Sequence, residues 1–172
     1  MNVPPRLLSA YRRTRYVAGT VEIRIARRSL AMDELLTAYG VRAGVFVTAW
    51  NPRSRQMPVQ WNRRMQDRLR DRLRRCLTLP AGGSWRLWHE EHFLVFAAPE
   101  FVRRLARQFR QAAAVVVKRG QPATLMTSFP VFSPLNNIPS AFGAFSSPST
   151  MCSRCRRRPA RICAESHARA SA

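Results

Sequence analysis

The segment AGVFVTAW, residues 43–50, constrains this chain more than any other. It is almost continuously apolar, as a strand in the middle of a buried sheet would be. It stops at Asn51-Pro52. Proline cannot donate to a strand ladder, and it biases the residue before it toward extended backbone. The strand is therefore expected to end there with Asn51 extended, and Ser54 is placed to cap the first amides of a following helix. Places where a strand runs into a helix gather polar groups, amides and a positive dipole end, which makes them common ligand positions. The same residues also suit a tight strand-to-helix turn that binds nothing.

The flanking sequence supplies the rest of a domain. In residues 20–26, Val21, Ile23 and Ile25 alternate with Glu22 and Arg24, the period of a half-exposed strand. Residues 29–39 place Leu30, Leu35, Leu36 and Tyr39 at helical spacing and stop at Gly40. The strongest helical pattern is 58–79. Trp61, Met65, Leu69 and Leu73 recur at steps of four, and Cys76 and Leu77 continue the stripe. Its polar face carries Arg63, Arg64, Arg68, Arg70, Arg72, Arg74 and Arg75, with Asp71 placed to meet Arg75 and Asp67 to meet Arg63 or Arg64. Pro80 and Gly82-Gly83 are expected to break the chain. Residues 85–98 read as two strands or one bent strand, 99–110 as a helix opened by Pro99 and Glu100, and 112–118 as a buried strand with a hairpin partner at 123–127. The order predicts an α+β domain over residues 1–128, a single mostly antiparallel sheet with two or three helices packed on one face.

Residues 129–172 differ in character. Prolines, serines and aromatics recur without a period, and RCRRR follows at 154–158. This stretch reads as a disordered tail, and its composition also fits translation out of the frame used by the core. Cys152, Cys155, Cys163 and His167 have one zinc half-site spacing. The residues between them lack the glycines and aromatics of a zinc knuckle, so an incidental cluster is preferred and no metal or other cofactor is assigned. In residues 85–98, His89 and His92 stand three apart in a strand context, which points them to opposite faces and speaks against a shared metal.

With 30 basic and 9 acidic residues, the net charge is +21, and Lys118 is the only lysine. GC-rich coding explains such an arginine bias, and so does attraction to a polyanion, whose phosphates arginine grips bidentately. No apolar run reaches the length of a membrane span or a signal peptide. The arginine-rich start, with no acid before Glu22, is compatible with a transit peptide, but Val3-Pro4-Pro5 interrupts its amphipathicity; the expected location is the cytoplasm.

Thr48-Ala49-Trp50-Asn51-Pro52-Arg53-Ser54, followed by Asn62, resembles the signature of a bacterial family of uncharacterised small domains, which shows Thr-Ala-x-Asn-Pro-x-Ser and then an asparagine. Trp88-His89-Glu90 and Phe93-Leu94-Val95 resemble its Trp-x-Glu and apolar strand. Residues 109–113, Phe-Arg-Gln-Ala-Ala, stand where the family has Phe-Gly-Gln-Asn-Ala, so its glycine is Arg110 here and its second amide residue is Ala112. The resemblance spans about residues 11–126 and implies no reaction. It implies that Asn51, Ser54, Asn62, Glu90 and Gln111 lie near one another.

No Gly-x-Gly-x-x-Gly, phosphate-binding loop, nucleophile elbow or Ser/His/Asp arrangement occurs. Two readings follow, and whether the protein is an enzyme is open in both. One is a binding module for a small polar ligand, with Thr48, Asn51, Ser54, Asn62, Glu90 and Gln111 at the end of the central strand. The other is a basic protein that binds nucleic acid nonspecifically through Arg63, Arg64, Arg68, Arg70, Arg72, Arg74 and Arg75. Neither involves a membrane.

Overall fold

The computed structural model describes residues 4–128. Helix α1 is Pro5–Arg13, followed by strands β1 (Arg15–Ala18) and β2 (Val21–Ile23), helix α2 (Leu30–Ala38), strand β3 (Ala43–Val47) and helix α3 (Val59–Leu73). Strands β4 (Thr78–Trp85) and β5 (Trp88–Val95), helix α4 (Pro99–Gln108) and strands β6 (Ala113–Lys118) and β7 (Thr124–Thr127) complete it. The strands form one sheet in the order β2-β1-β4-β5-β3-β6-β7, antiparallel at every ladder. The fold is therefore α+β, and β3 is an interior strand next to the central β5, paired with β5 on one side and β6 on the other. The sheet curls far enough that its ends touch: Ile25, just after β2, bridges to Ala123, just before β7. The expected tail, its possible frame change and the Cys152, Cys155, Cys163 and His167 cluster lie outside the described residues.

Alternation along the strands sorts the core into two layers. One face sends Val45, Val47, Phe93, Val95, Ala114 and Val116 into Leu69 and Leu73 of α3 and Val102, Leu105 and Ala106 of α4. The other sends Tyr16, Ala18, Phe46, Leu94, Val115 and Val117 toward Met32 and Leu36 of α2. Both faces are covered, not one. An interior strand as apolar as β3 requires this, because each of its side chains needs an apolar neighbour.

Four local expectations change. Helix α3 is shorter than its pattern and turned about its axis: Asn62, Gln66, Leu69 and Leu73 are its buried residues, while Trp61 and Met65 are half-buried. Arg74 is the C-cap and Arg75 lies beyond the helix. Pro80, Gly82 and Gly83 do not break the chain but lie inside β4. Proline is tolerated because β1 pairs only as far as Ala81, which leaves Pro80 beyond the end of that ladder. Gly83 is required by a close approach, since a Cβ there would stand 2.8 Å from Cε1 of the His92 ring. Finally, residues 5–13 form helix α1, which opens on Pro5, where Val3-Pro4-Pro5 is expected to interrupt amphipathicity.

Candidate functional site

The region where β3 ends is built by side chains that replace the missing ladder. Past Val47 the backbone has no strand partner, and buried amides without partners are costly. Gln66 Oε1 accepts from the Ala49 amide (3.0 Å), Thr48 Oγ1 from the Trp50 amide (3.0 Å), and Asn62 Oδ1 from the Asn51 amide (3.0 Å). Gln111 Nε2 donates to the Trp50 carbonyl at 2.8 Å, and Thr48 Oγ1 donates to the Glu91 carbonyl at 2.6 Å. Asn62 Nδ2 donates to Asn51 Oδ1 (3.0 Å) and to the Met57 carbonyl (3.2 Å). Asn51 Oδ1 also takes the Met57 amide (2.9 Å), which closes a loop of bonds over residues 51–62.

Asn51 is not extended. Its φ is +47°, and Arg53 and Ser54 follow at +56° and +57°. The side-chain network holds this left-handed stretch, which asparagine tolerates better than most residues. Ser54 consequently does not cap α3; the residue before that helix is Pro58, with no side-chain cap. Exposed Ser54 instead reaches the Tyr11 hydroxyl of α1.

Beside this network, between α1 and the α2-bearing face of the sheet, lies a cavity of about 500 Å³. Its floor is sheet: Tyr16 from β1, Phe46 and Thr48 at β3, Glu90 and His92 from β5, and Ala113 and Val115 from β6. Its cover is Leu7, Ala10, Tyr11 and Thr14, spaced along one side of α1 and its end, and its side wall is the β4–β5 turn, Trp85 to Trp88. Five of the six residues singled out from the sequence, Thr48, Asn51, Ser54, Glu90 and Gln111, line it. Asn62 does not; it stands behind Asn51, 2% exposed, and acts on the cavity only through that residue.

Among the described residues, Glu90 is the one carboxylate lining the cavity. Its Oε1 accepts from Asn51 Nδ2 at 2.9 Å. Burial raises its pKa above the ordinary carboxylate value, against the opposing pull of hydrogen bonds from Asn51 and Trp88. Glu90 has no ion-pair partner among the described residues. Burial pushes the Tyr11 phenol up to about 12, so it remains a neutral donor, and lowers His92 to about 4, so its imidazole is uncharged near neutrality. His92 packs edge-on against Tyr16, with Nδ1 3.1 Å from the Glu90 carbonyl. His89 lies on the opposite face, near Trp50, so the two histidines cannot share a metal. Chemically, the cavity offers the Glu90 carboxyl, the Tyr11 phenol, the Ser54 hydroxyl and Arg86 at the β4–β5 turn, set in aromatic walls.

Residues 47–114 match the family model described as Protein of unknown function (DUF3293). The DUF3293 stretch runs from the last residue of β3 into β6 and contains Thr48, Asn51, Ser54, Asn62, Glu90 and Gln111. Helix α1 and strand β1, which supply Tyr11 and Tyr16, lie before it. No curated protein and no solved structure matches the chain. No helix among the described residues is long and apolar enough to cross a membrane.

The structure also shows where the departures at 110 and 112 lie. Arg110 follows α4 at φ +54°, a position that favours glycine, and its carbonyl accepts from the Arg53 amide at 2.9 Å. Ala112 is not part of the cavity wall; its carbonyl accepts from the Ser128 amide. Gln66 was missed by sequence reasoning, although it stands four residues after Asn62 and so shares its helix face. Tyr11 was missed because α1 was not anticipated; the signal was Leu7, Ala10, Tyr11 and Thr14 at steps of three and four.

The arginines expected to form a phosphate surface on α3, Arg63, Arg64, Arg68, Arg70 and Arg72, are all exposed, as are Arg74 and Arg75 after it. Asp67 pairs with Arg70 at 2.6 Å, not with Arg63 or Arg64, and Asp71 forms no ion pair with Arg75. The Arg70 guanidinium also lies 5.6 Å from the centre of the Phe93 ring.

Proposed function

We propose that this domain is a binding module for a compact, largely apolar ligand that presents a hydrogen-bond donor to Glu90. The observation that carries this reading is a partly buried carboxyl, held from behind by Asn51, on the floor of an aromatic cavity of about 500 Å³. Cavities of roughly 300–1,000 Å³ with apolar walls and a few convergent polar groups are the usual form of small-molecule sites. Carboxyls with raised pKa values concentrate at such sites, because burying a charge has no benefit to the fold alone. The left-handed run at residues 51–54 is a second support, since strain of this kind gathers at ligand clamps. A ligand amine or amide on Glu90, with a ring between Tyr11, Phe46 and Trp88, satisfies the available chemistry.

The reading is tested by ligand-detected NMR on the full chain with size-matched aryl amines, aryl amides and aryl carboxylates. Amines and amides should bind, carboxylates should not, and Glu90→Ala should remove the difference. Equal binding of all three classes to wild type and to Glu90→Ala would refute it. The alternative, phosphate binding by the α3 arginines, is supported by their exposure alone.

A further inference from the structure

A second concavity, an open groove of about 560 Å³, lies beside the first and is lined by Arg12, Arg13, Arg15, Arg24, Arg27 and Arg86, with Ser84 and Trp85. These arginines come from three separate stretches of chain: the last turn of α1 and the start of β1, the segment after β2, and the turn between β4 and β5. Local structure accounts for part of the set. Arg12 and Arg13 suit the negative end of the α1 dipole. Arg15 and Arg24 share Glu22, at 2.7 and 3.3 Å. The Arg86 guanidinium lies 5.1 Å from the centre of the Trp85 ring. None of this explains why six guanidinium groups converge on one hollow. Arg12, Arg13, Arg27 and Arg86 have no ion-pair partner among the described residues, so an anion in the groove would meet uncompensated positive charge.

We propose that this groove binds the phosphate backbone of single-stranded nucleic acid, with Trp85 at its wall available to a base. Guanidinium forks match phosphate oxygens bidentately. A basic groove with an aromatic side chain is how strands are held without sequence preference. The concavity favours a strand over a membrane, which would need a flat or protruding surface. The backbone beneath is firmly placed: the Arg27 carbonyl accepts from the Ala123 amide at 3.1 Å, at the seam where the sheet ends meet. The groove is separate from the cavity under α1, although Trp85 and Arg86 border both.

The test is fluorescence anisotropy of a labelled oligothymidylate of about 12 nucleotides against the full chain, titrated over salt. The triple variant Arg12→Gln/Arg13→Gln/Arg27→Gln is compared with Arg63→Gln/Arg64→Gln/Arg68→Gln on α3, both checked for native circular dichroism. Single strands lose ~0.7 in salt slope per phosphate contact removed, so the groove variant should flatten the slope by about 2 and weaken binding at least tenfold. The α3 variant should lose less than threefold. Equal losses in the two variants would mean diffuse charge and no site. Absence of binding at low salt overturns the proposal outright. So does a groove variant that releases vesicles containing phosphatidylserine while its grip on the oligonucleotide is unchanged.

Discussion

Asn62 offers the sharpest test of how the end of β3 is held. Its side chain makes three hydrogen bonds while being only 2% exposed: it accepts from the Asn51 amide (3.0 Å) and donates to Asn51 Oδ1 (3.0 Å) and the Met57 carbonyl (3.2 Å). In Asn62→Ala the Asn51 amide, itself in a 5% exposed residue, loses its acceptor. A buried donor left unpaired costs about 1–3 kcal/mol, and the two donated bonds add ~1 kcal/mol each, so the variant should lose about 4 kcal/mol. Asn62→Asp separates hydrogen-bond polarity from packing. It keeps an acceptor for the Asn51 amide, but its second oxygen faces Asn51 Oδ1 and the Met57 carbonyl, both acceptors, and carries charge. It should therefore be destabilised at least as much as alanine at neutral pH, despite its matched shape, and recover in part when acid protonates the new carboxyl. Urea unfolding followed by circular dichroism measures both. A loss below ~1 kcal/mol in Asn62→Ala would show that the loop at 51–57 does not depend on this network.

Three further outcomes follow from the same geometry. Glu90 has a raised folded pKa, so its contribution to stability is present below the unfolded value and is lost as pH rises through the folded value; Glu90→Gln, which keeps an acceptor for Asn51, should raise the melting temperature at pH 7 and raise it less at pH 4, and a lower melting temperature at pH 7 would contradict the reading. His92 falls from its ordinary 6.5 to about 4, so the unfolded chain binds a proton in that window that the folded chain refuses; stability should drop by ~3 kcal/mol as pH falls across it, and His92→Gln should flatten the slope in urea titrations. Arg110 carries a side chain at φ +54°, so Arg110→Gly should stabilise by ~1 kcal/mol, and a loss in the same unfolding assay would show that the guanidinium has a structural role of its own.

Much of the domain is written in local pattern. The alternation of Val21 and Ile23, the continuous apolar run into Val47 and the stripes of α2 and α4 predict elements within a few residues of those found, because period and burial are coupled along one chain. The break at Asn51-Pro52 also places the end of β3 to within about four residues, and with the family resemblance it singles out five residues of one cavity wall.

What remained hidden depends on contacts between distant segments. Asn51 adopts a left-handed conformation despite the following proline, because Asn62 and Glu90 hold its side chain. Gly83 lies within a strand because a histidine from the neighbouring strand packs over it. Coverage of both sheet faces, the seat of α1 above Glu90 and the meeting of arginines from residues 12–15, 24–27 and 86 have no local signature. Periodicity along a chain reports which side of an element is buried; only the sheet order and its curl determine what that side meets.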